Sequence, residues 1–285
     1  MTICQLLEAA RHKLAHLDRS RLEAEILLGH ALEVKRSFLY ANPDFVVPAK
    51  RGSEFRRLVK CRSEGHPIAY LTGKRAFWTL GLHVSPAVLI PRPETELLVE
   101  AALELVPVDA KYRIADLGTG SGAIALAIAH ERPNCEVHAS DCSEAALRIA
   151  RKNARLNNLD HVRFHRGNWT EPLLGEFNLI VSNPPYIREQ DPHLQQGDCR
   201  FEPAMALTPG GDGLDAIRCI VETSPAWLMQ EGWLILEHGY DQAESVRKLL
   251  NKNGFSEVRT IRDLAGIERL SLGKKAENQN GPASR

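Results

Sequence analysis

A chain of 285 residues that is 44% apolar and 25% charged can build a sizeable core, which argues against disorder. At roughly 100–200 residues per domain it has room for a larger and a smaller unit. Thirty-six basic residues balance thirty-six acidic ones, so there is no global field to hold a polyanion; nucleic-acid binding is unsupported, although a local basic face is not excluded.

The opening MTICQLLEAARHKL lacks the positive start and long apolar centre of a signal peptide, and no later run approaches the ~18 apolar residues of a membrane span. A soluble, cytoplasmic protein is expected. The six cysteines (Cys4, Cys61, Cys135, Cys142, Cys199, Cys219) form no CxxC pair, so neither a zinc site nor a disulfide framework is suggested, and the thiols read as inert in a reducing cytosol.

Residues 1–72 read as a small helical bundle. Thr2 with Gln5, and Ser20 with Glu23, have capping-box spacing, in which a hydroxyl and a side chain three residues on satisfy exposed helix-start amides. Leu6, Leu7, Ala10 and Leu14 follow at helical intervals, as do Leu22, Ile26 and Leu27. A further helix is expected to start near Pro48 and run through Phe55, Leu58 and Val59. Lys35 and Arg36 form a basic pair that reads as a solvated face or a contact for an acidic partner.

The texture changes at RAFWTLGLHVSPAVLI, whose aromatic and branched residues around Gly81 predict a β-hairpin linker over 73–90. PRPETELLVEAALELV then places proline before an acidic first turn and leucines at helical spacing, a helix start. Arg92 and Glu94 are candidates to line a cleft, or simply serve that start. From Lys111 onward, the strand candidates YRIAD, CEVHASD, VRFHRGN, FNLIVSN and GWLILEHG alternate with helical stretches, and FSEVRTIRD and RLSLGK add two more strands. Such alternation predicts an α/β fold, a mostly parallel seven-stranded sheet covered by helices over 91–274, with ligands beyond the carboxyl ends of the strands. Residues 275–285 read as a flexible tail.

Asp116 closes the first of those strands, and DLGTGSG leads into a helix. Gly118, Gly120 and Gly122 permit a tight turn and a close ligand approach, and Asp141 at the next strand end can accept ribose hydroxyls. Gly118, Gly120 and Ala123 also satisfy the GxGxxG/A dinucleotide pattern, so dinucleotide and methyl-donor readings both stand at this point. A plain strand-to-helix connection explains fewer of these coincidences.

The strand FNLIVS delivers Asn183 to the same rim, followed by Pro184, Pro185 and Tyr186. Prolines fix φ and donate no hydrogen bond, but their carbonyls still accept, as does the Asn183 side chain. Two fixed acceptors can grip both hydrogens of a planar NH₂ group while the Tyr186 ring lies against its face. Such nitrogens are poor nucleophiles because their lone pairs are delocalised, and acceptors that favour a pyramidal, more positive nitrogen would promote attack. Neither a metal nor a His–carboxylate pair is needed.

Together DLGTGSG, the acid in ASDCSEAAL, NPPYI, PIAYLTG and LIPRPETE resemble the peptide-chain release factor glutamine N5-methyltransferases over nearly the whole chain. The resemblance implies a Rossmann-like class I methyltransferase domain joined by the hairpin to a substrate-recognising helical bundle. It implies S-adenosylmethionine held by Gly118, Thr119, Gly120, Ser121 and Gly122, with Asp141 on the ribose, Asn168 and Trp169 beside the adenine, and Asn183 reaching the donor too. S-adenosylhomocysteine is the implied product. Asn183, Pro184 and Tyr186 are the implied catalytic residues and, with Pro185, would bind the glutamine of the Gly-Gly-Gln loop of class 1 release factors, with no direct nucleic-acid or membrane contact. Asn168 departs from the acid expected before Trp169, which implies weaker donor binding, and Trp169 reads equally as core packing. NPPY alone also suits methylation of an exocyclic amino group on a nucleic-acid base, and a binding module with a relic pocket is a further alternative.

Overall fold

The computed structural model describes residues 1–276. They form two compact units, one of Met1–Lys74 together with Gln196–Phe201, the other of Arg75–Gln195 with the chain from Glu202 on.

The first unit is helical: α1 (Ile3–Lys13), α2 (Ser20–Leu32), α3 (Arg36–Ala41), α4 (Ala49–Ser63) and α5 (Ile68–Thr72). Thr2 and Gln5 form the expected reciprocal cap, with the Thr2 N–H donating to Gln5 Oε1 at 3.0 Å and the Gln5 N–H to Thr2 Oγ1 at 3.4 Å. Ser20 and Glu23 do not. Arg19 occupies the cap position without a side-chain bond, and Glu23 instead accepts two hydrogen bonds from Arg62, at 2.6 and 3.0 Å. A bidentate charged pair is stronger than a neutral cap and takes the carboxylate. The α2 face that meets the core carries Ala24, Leu27, Leu28 and Ala31, leaving Leu22 and Ile26 half-buried. Ile3, Leu6, Phe55 and Leu58 pack against it. Arg36 is committed internally: with Arg21 and Tyr40 it hydrogen-bonds the buried Glu25, at 2.6, 3.0 and 2.5 Å respectively. Burial would raise the Glu25 pKa, but those bonds outweigh it and hold the carboxyl below its usual range.

The second unit opens with the hairpin of β1 (Lys74–Phe77) and β2 (Leu80–His83), whose Phe77, Leu80 and Leu82 are buried in the sheet's own core. A 3₁₀ turn (Pro93–Thr95) leads into α6 (Glu96–Leu105). Then come β3 (Arg113–Leu117), α7 (Ala123–Glu131), β4 (Glu136–Asp141), α8 (Glu144–Leu156), β5 (Arg163–Arg166), β6 (Phe177–Ser182), α9 (Asp215–Thr223), β7 (Leu228–Glu237), α10 (Ala243–Lys252), β8 (Phe255–Arg262) and β9 (Glu268–Lys275). The seven strands of the sheet, β3 to β9, lie in the order β5-β4-β3-β6-β7-β9-β8, and β9 runs antiparallel to both neighbours. Because successive strand residues face opposite sides, Ile114, Leu179 and Val181 enter one core, while Ala115, Leu117 and Ile180 enter the other. All seven strands fall on the stretches expected from sequence, although β7 begins at Leu228, ahead of the expected GWLILEHG. Lys275 is still in β9, and beyond Ala276 the proposed tail lies outside the described residues.

The topology fixes where chemistry can occur. β3 and β6 are parallel neighbours with Leu117 opposite Ser182, so the glycine turn and Asn183 leave the sheet side by side. Among the described residues, no helix is long and apolar enough to cross a membrane.

Candidate active site

The first half of the site is organised by a buried acid. Asp116 Oδ2 accepts from the Thr119 hydroxyl at 2.6 Å and the Ala125 N–H at 3.2 Å, which ties the turn to the first residues of α7. Its Oδ1 is buried without a partner, and burial pushes its pKa up to about 7. Gly118, Gly120 and Gly122 adopt φ of +73°, +55° and +84°, which L side chains rarely tolerate. A Cβ at Gly118 would lie 3.1 Å from the Trp169 ring, whereas one at Gly120 would meet nothing within 4 Å. The backbone at Gly120 therefore faces open space.

Asp141 closes the neighbouring strand and ties the turn down, accepting from the Gly120 N–H at 2.9 Å and the Ser143 N–H at 2.8 Å. Burial raises its pKa despite both bonds. A carboxylate has about four lone-pair sites, so capacity remains for ligand hydroxyls. Asn153 braces the arrangement by bonding His83 on the hairpin and the Ser121 carbonyl, at 2.6–2.9 Å.

Trp169, at φ +44°, has its carbonyl held by the Ser140 hydroxyl at 2.6 Å, and its ring both packs on the core and faces the cavity. Asn168 is exposed and donates to Glu171 Oε2 at 3.2 Å.

On the β6 side, Asn183 Nδ2 donates to the buried Thr95 hydroxyl at 3.0 Å, which leaves the amide oxygen as its acceptor end. The Tyr186 phenol donates to Glu237 Oε1 at 3.1 Å, and the Tyr186 carbonyl accepts from Gln242 Nε2 at 3.0 Å. Burial pushes the Tyr186 phenol well above its ordinary pKa. Burial likewise pushes Glu237 up to about 7, against the lowering effect of Thr95 and Tyr186.

These elements line an open cavity of about 960 Å³, a volume that includes its solvent-filled mouth. Gly118, Thr119, Gly120, Ser121, Asp141, Asn168, Trp169, Asn183 and Pro185 line it. Gly122, Pro184 and Tyr186 do not: Gly122 caps α7, Pro184 is buried, and the Tyr186 hydroxyl is turned to Glu237. Arg92 lines the cavity and pairs with the buried Glu202, which also accepts from the Ile90 N–H at 2.9 Å; Glu94 is exposed and outside it. Thr95, Glu202, Glu237 and Gln242 were not anticipated. An acid ending the apolar run LILE was an available signal for Glu237, but the other three sit in polar turns that give no local sign of burial.

Two family models match the chain, Methyltransferase small domain over residues 93–213 and PrmC N-terminal domain over 5–73. The release factor glutamine methyltransferase of Xylella fastidiosa strain Temecula1 is 54% identical over 89% of this chain and 93% of its own. The protein of that name from Pseudomonas aeruginosa is 48% identical over 96% of this chain and 99% of its own. Among solved structures, a Thermus thermophilus 16S rRNA N2 methyltransferase in complex with AdoMet and guanosine superimposes with a TM-score of 0.55 at 20% identity, covering 71% of this chain and 49% of that one. That likeness concerns the fold. The sheet order, with an antiparallel strand inserted before the last, also departs from the 3-2-1-4-5-6 order of dinucleotide-binding folds. On this sequence identity over nearly its full length, the chain belongs to the release factor glutamine methyltransferase family.

Proposed function

We propose that this methyltransferase moves a methyl group from S-adenosylmethionine to the side-chain amide nitrogen of the glutamine in the Gly-Gly-Gln loop of class 1 release factors, work that belongs in the cytoplasm. The observation that carries the reading is Asn183: its NH₂ is held by Thr95 on the wall of a cavity whose other wall is the turn from Gly118 to Ser121.

The cavity suits the donor. Positive-φ glycines expose backbone, Gly120 borders open space, and Asp141 retains acceptor capacity for ribose hydroxyls. Thr119, Gly120 and Ser121 would hold its central part, with Asn168 and Trp169 beside the adenine. When bound, the donor supplies a methyl on a sulfonium, and the sulfur keeps the bonding pair as the new N–C bond forms.

The chain itself orients the amide. The Asn183 side-chain oxygen and the carbonyl beside it on the Pro184–Pro185 edge accept the two N–H bonds of the substrate, which favours a pyramidal nitrogen with an available lone pair. Alignment of nucleophile and methyl carbon contributes roughly 7–11 kcal/mol. Tyr186 acts through stiffness, tied at its hydroxyl to Glu237 and at its carbonyl to Gln242. The surplus amide proton then passes to water.

The helical residues 1–72 are proposed to dock the release factor. Removing them should spare donor binding and abolish methylation of the intact factor; undiminished transfer contradicts the docking role. The reaction is tested by incubating the enzyme with labelled S-adenosylmethionine and, separately, release factors and nucleic acids. Label mapped to the loop glutamine is expected, and label on a base instead overturns the reading.

A further inference from the structure

The edge that follows Asn183 has to point a carbonyl at the substrate, and its prolines alone do not achieve that. A proline ring fixes φ, and Pro185 confines Pro184 to the extended range, but ψ, which sets the direction of a carbonyl, keeps its freedom within that range. Neither proline has an N–H by which a neighbour could hold it. The edge is therefore held from its two ends. At the near end Ser182 is still in the sheet, opposite Leu117 on one side and Leu236 on the other. At the far end β6 has stopped, and the Tyr186 peptide is held by a side chain and a turn.

Gln242 is the side chain. It is 3% exposed and occupies the cap position of α10 without capping that helix through its amide. Its Oε1 accepts from the Gly239 N–H at 2.8 Å, and since a backbone N–H only donates, the rotation of the amide is set. Nε2 points the other way, donating to the Tyr186 carbonyl at 3.0 Å and reaching the Gly213 carbonyl at 3.4 Å. Gly213 belongs to the turn before α9. It has φ +80°, and a Cβ there would collide with the Tyr186 carbonyl oxygen and lie 3.2 Å from the Arg188 nitrogen. The missing side chain lets the turn close on the backbone that follows the prolines.

We infer that Gln242 and Gly213 are positioning residues for methyl transfer: together they lock the Tyr186 peptide, and with Ser182 fixed at the other end this sets the direction of the proline carbonyl that takes one N–H of the substrate amide. Neither residue lines the cavity, so both act through the edge. The inference deepens the amide-methylation reading and rests on it.

The test uses the full-length enzyme and measures the single-turnover transfer rate, substrate KM and donor Kd, with melting temperature as a folding check. Gln242→Glu keeps the oxygen that accepts from Gly239 and replaces the NH₂ with a second carboxyl oxygen, which donates to Tyr186 only when protonated. At about pH 8 its transfer rate should be about tenfold below wild type, the equivalent of one hydrogen bond, with KM and donor Kd within about twofold. Burial raises the pKa of a carboxyl, so at about pH 6 the new group should carry its proton and the ratio to wild type should recover to within about threefold, which a packing role would not produce. Tyr186, Arg188, Asp212, Glu237, His238 and Asp241, the charged or titratable neighbours, are common to both proteins and drop out of that ratio. Gly213→Ala displaces the same peptide from the other side and should lower the transfer rate at least as much, with no recovery at the lower pH. Each variant judges the inference alone should the other not fold. An unchanged transfer rate in either, a loss carried by KM or donor Kd instead, or a Gln242→Glu deficit equal at both pH values overturns the inference. If the wild type methylates a different NH₂ acceptor, the glutamine reading fails, while the same ratios measured on that acceptor still judge Gln242 and Gly213.

Discussion

Two adjacent strand ends build the site by opposite means. At the end of β3 the chain removes side chains: three glycines in the left-handed region turn backbone toward the cavity. At the end of β6 it adds constraint, with an asparagine held at its NH₂ and two prolines that cannot donate. Yet beneath each end lies a buried acid raised by burial to about 7, Asp116 below the glycine turn and Glu237 behind the prolines. In the proposed reaction the difference assigns one rim to admitting a ligand and the other to orienting one, while behind both lies a carboxyl group that does not line the cavity.

Breaking the orienting rim should have the largest effect. Asn183→Ala removes the acceptor and is expected to cost about 2.7–4 kcal/mol in the transfer step, by analogy with loss of an oxyanion-hole donor, with donor affinity nearly unchanged. Single-turnover rates beside calorimetric donor binding separate the two; a parallel loss of both would mean that Asn183 belongs to the donor side.

The buried acids give the next effect, through pH. Glu237 is raised from 4.5 to about 7, so the native state keeps a proton that the unfolded chain has released. Its stabilising contribution is present below about pH 4.5 and is lost as pH rises through about 7. Thr95, Tyr186, Arg269 and Glu94 act on this group. Glu237→Gln removes the titration, so the urea stability of the wild type should fall relative to the variant by about 2–3 kcal/mol between pH 5 and 8. A constant difference would show that Glu237 titrates normally.

Filling the admitting rim should matter less. Gly118→Ala places a Cβ 3.1 Å from the Trp169 ring at a φ of +73°, and should weaken donor binding by about 1–2 kcal/mol. Gly81→Ala, with nothing within 4 Å of its added Cβ, serves as the control and should change neither affinity nor melting temperature. The smallest effect is expected from Asn168→Asp. The new charge could strengthen a hydrogen bond to the donor but would face Glu171, now bonded to Asn168, so donor Kd should move by no more than a few fold, about 1 kcal/mol or less. A tenfold change in either direction would assign Asn168 a larger part in donor binding.

Local chemistry made much of this molecule legible. The alternation of apolar runs and helical stretches marked the strands and helices of the sheet, because period 2 and period 3.6 are written residue by residue. Glycine at three spaced positions and proline after Asn183 likewise act within a few residues of themselves. What failed were predictions that assumed a side chain would serve its own neighbourhood. Glu23 has capping-box spacing but answers Arg62, thirty-nine residues away, and Arg36, read as a surface charge, is committed to Glu25. Thr95 and Glu237 found their partners, Asn183 and Tyr186, only when strand pairing brought β6 beside β7 and α6 against both. By itself, then, the sequence determined the elements, the glycine turn and the proline-stiffened edge beside it. The tertiary structure alone decided the partners of the buried polar groups, since a buried carboxyl or hydroxyl takes whatever folding brings within hydrogen-bond reach, and no local spacing records that.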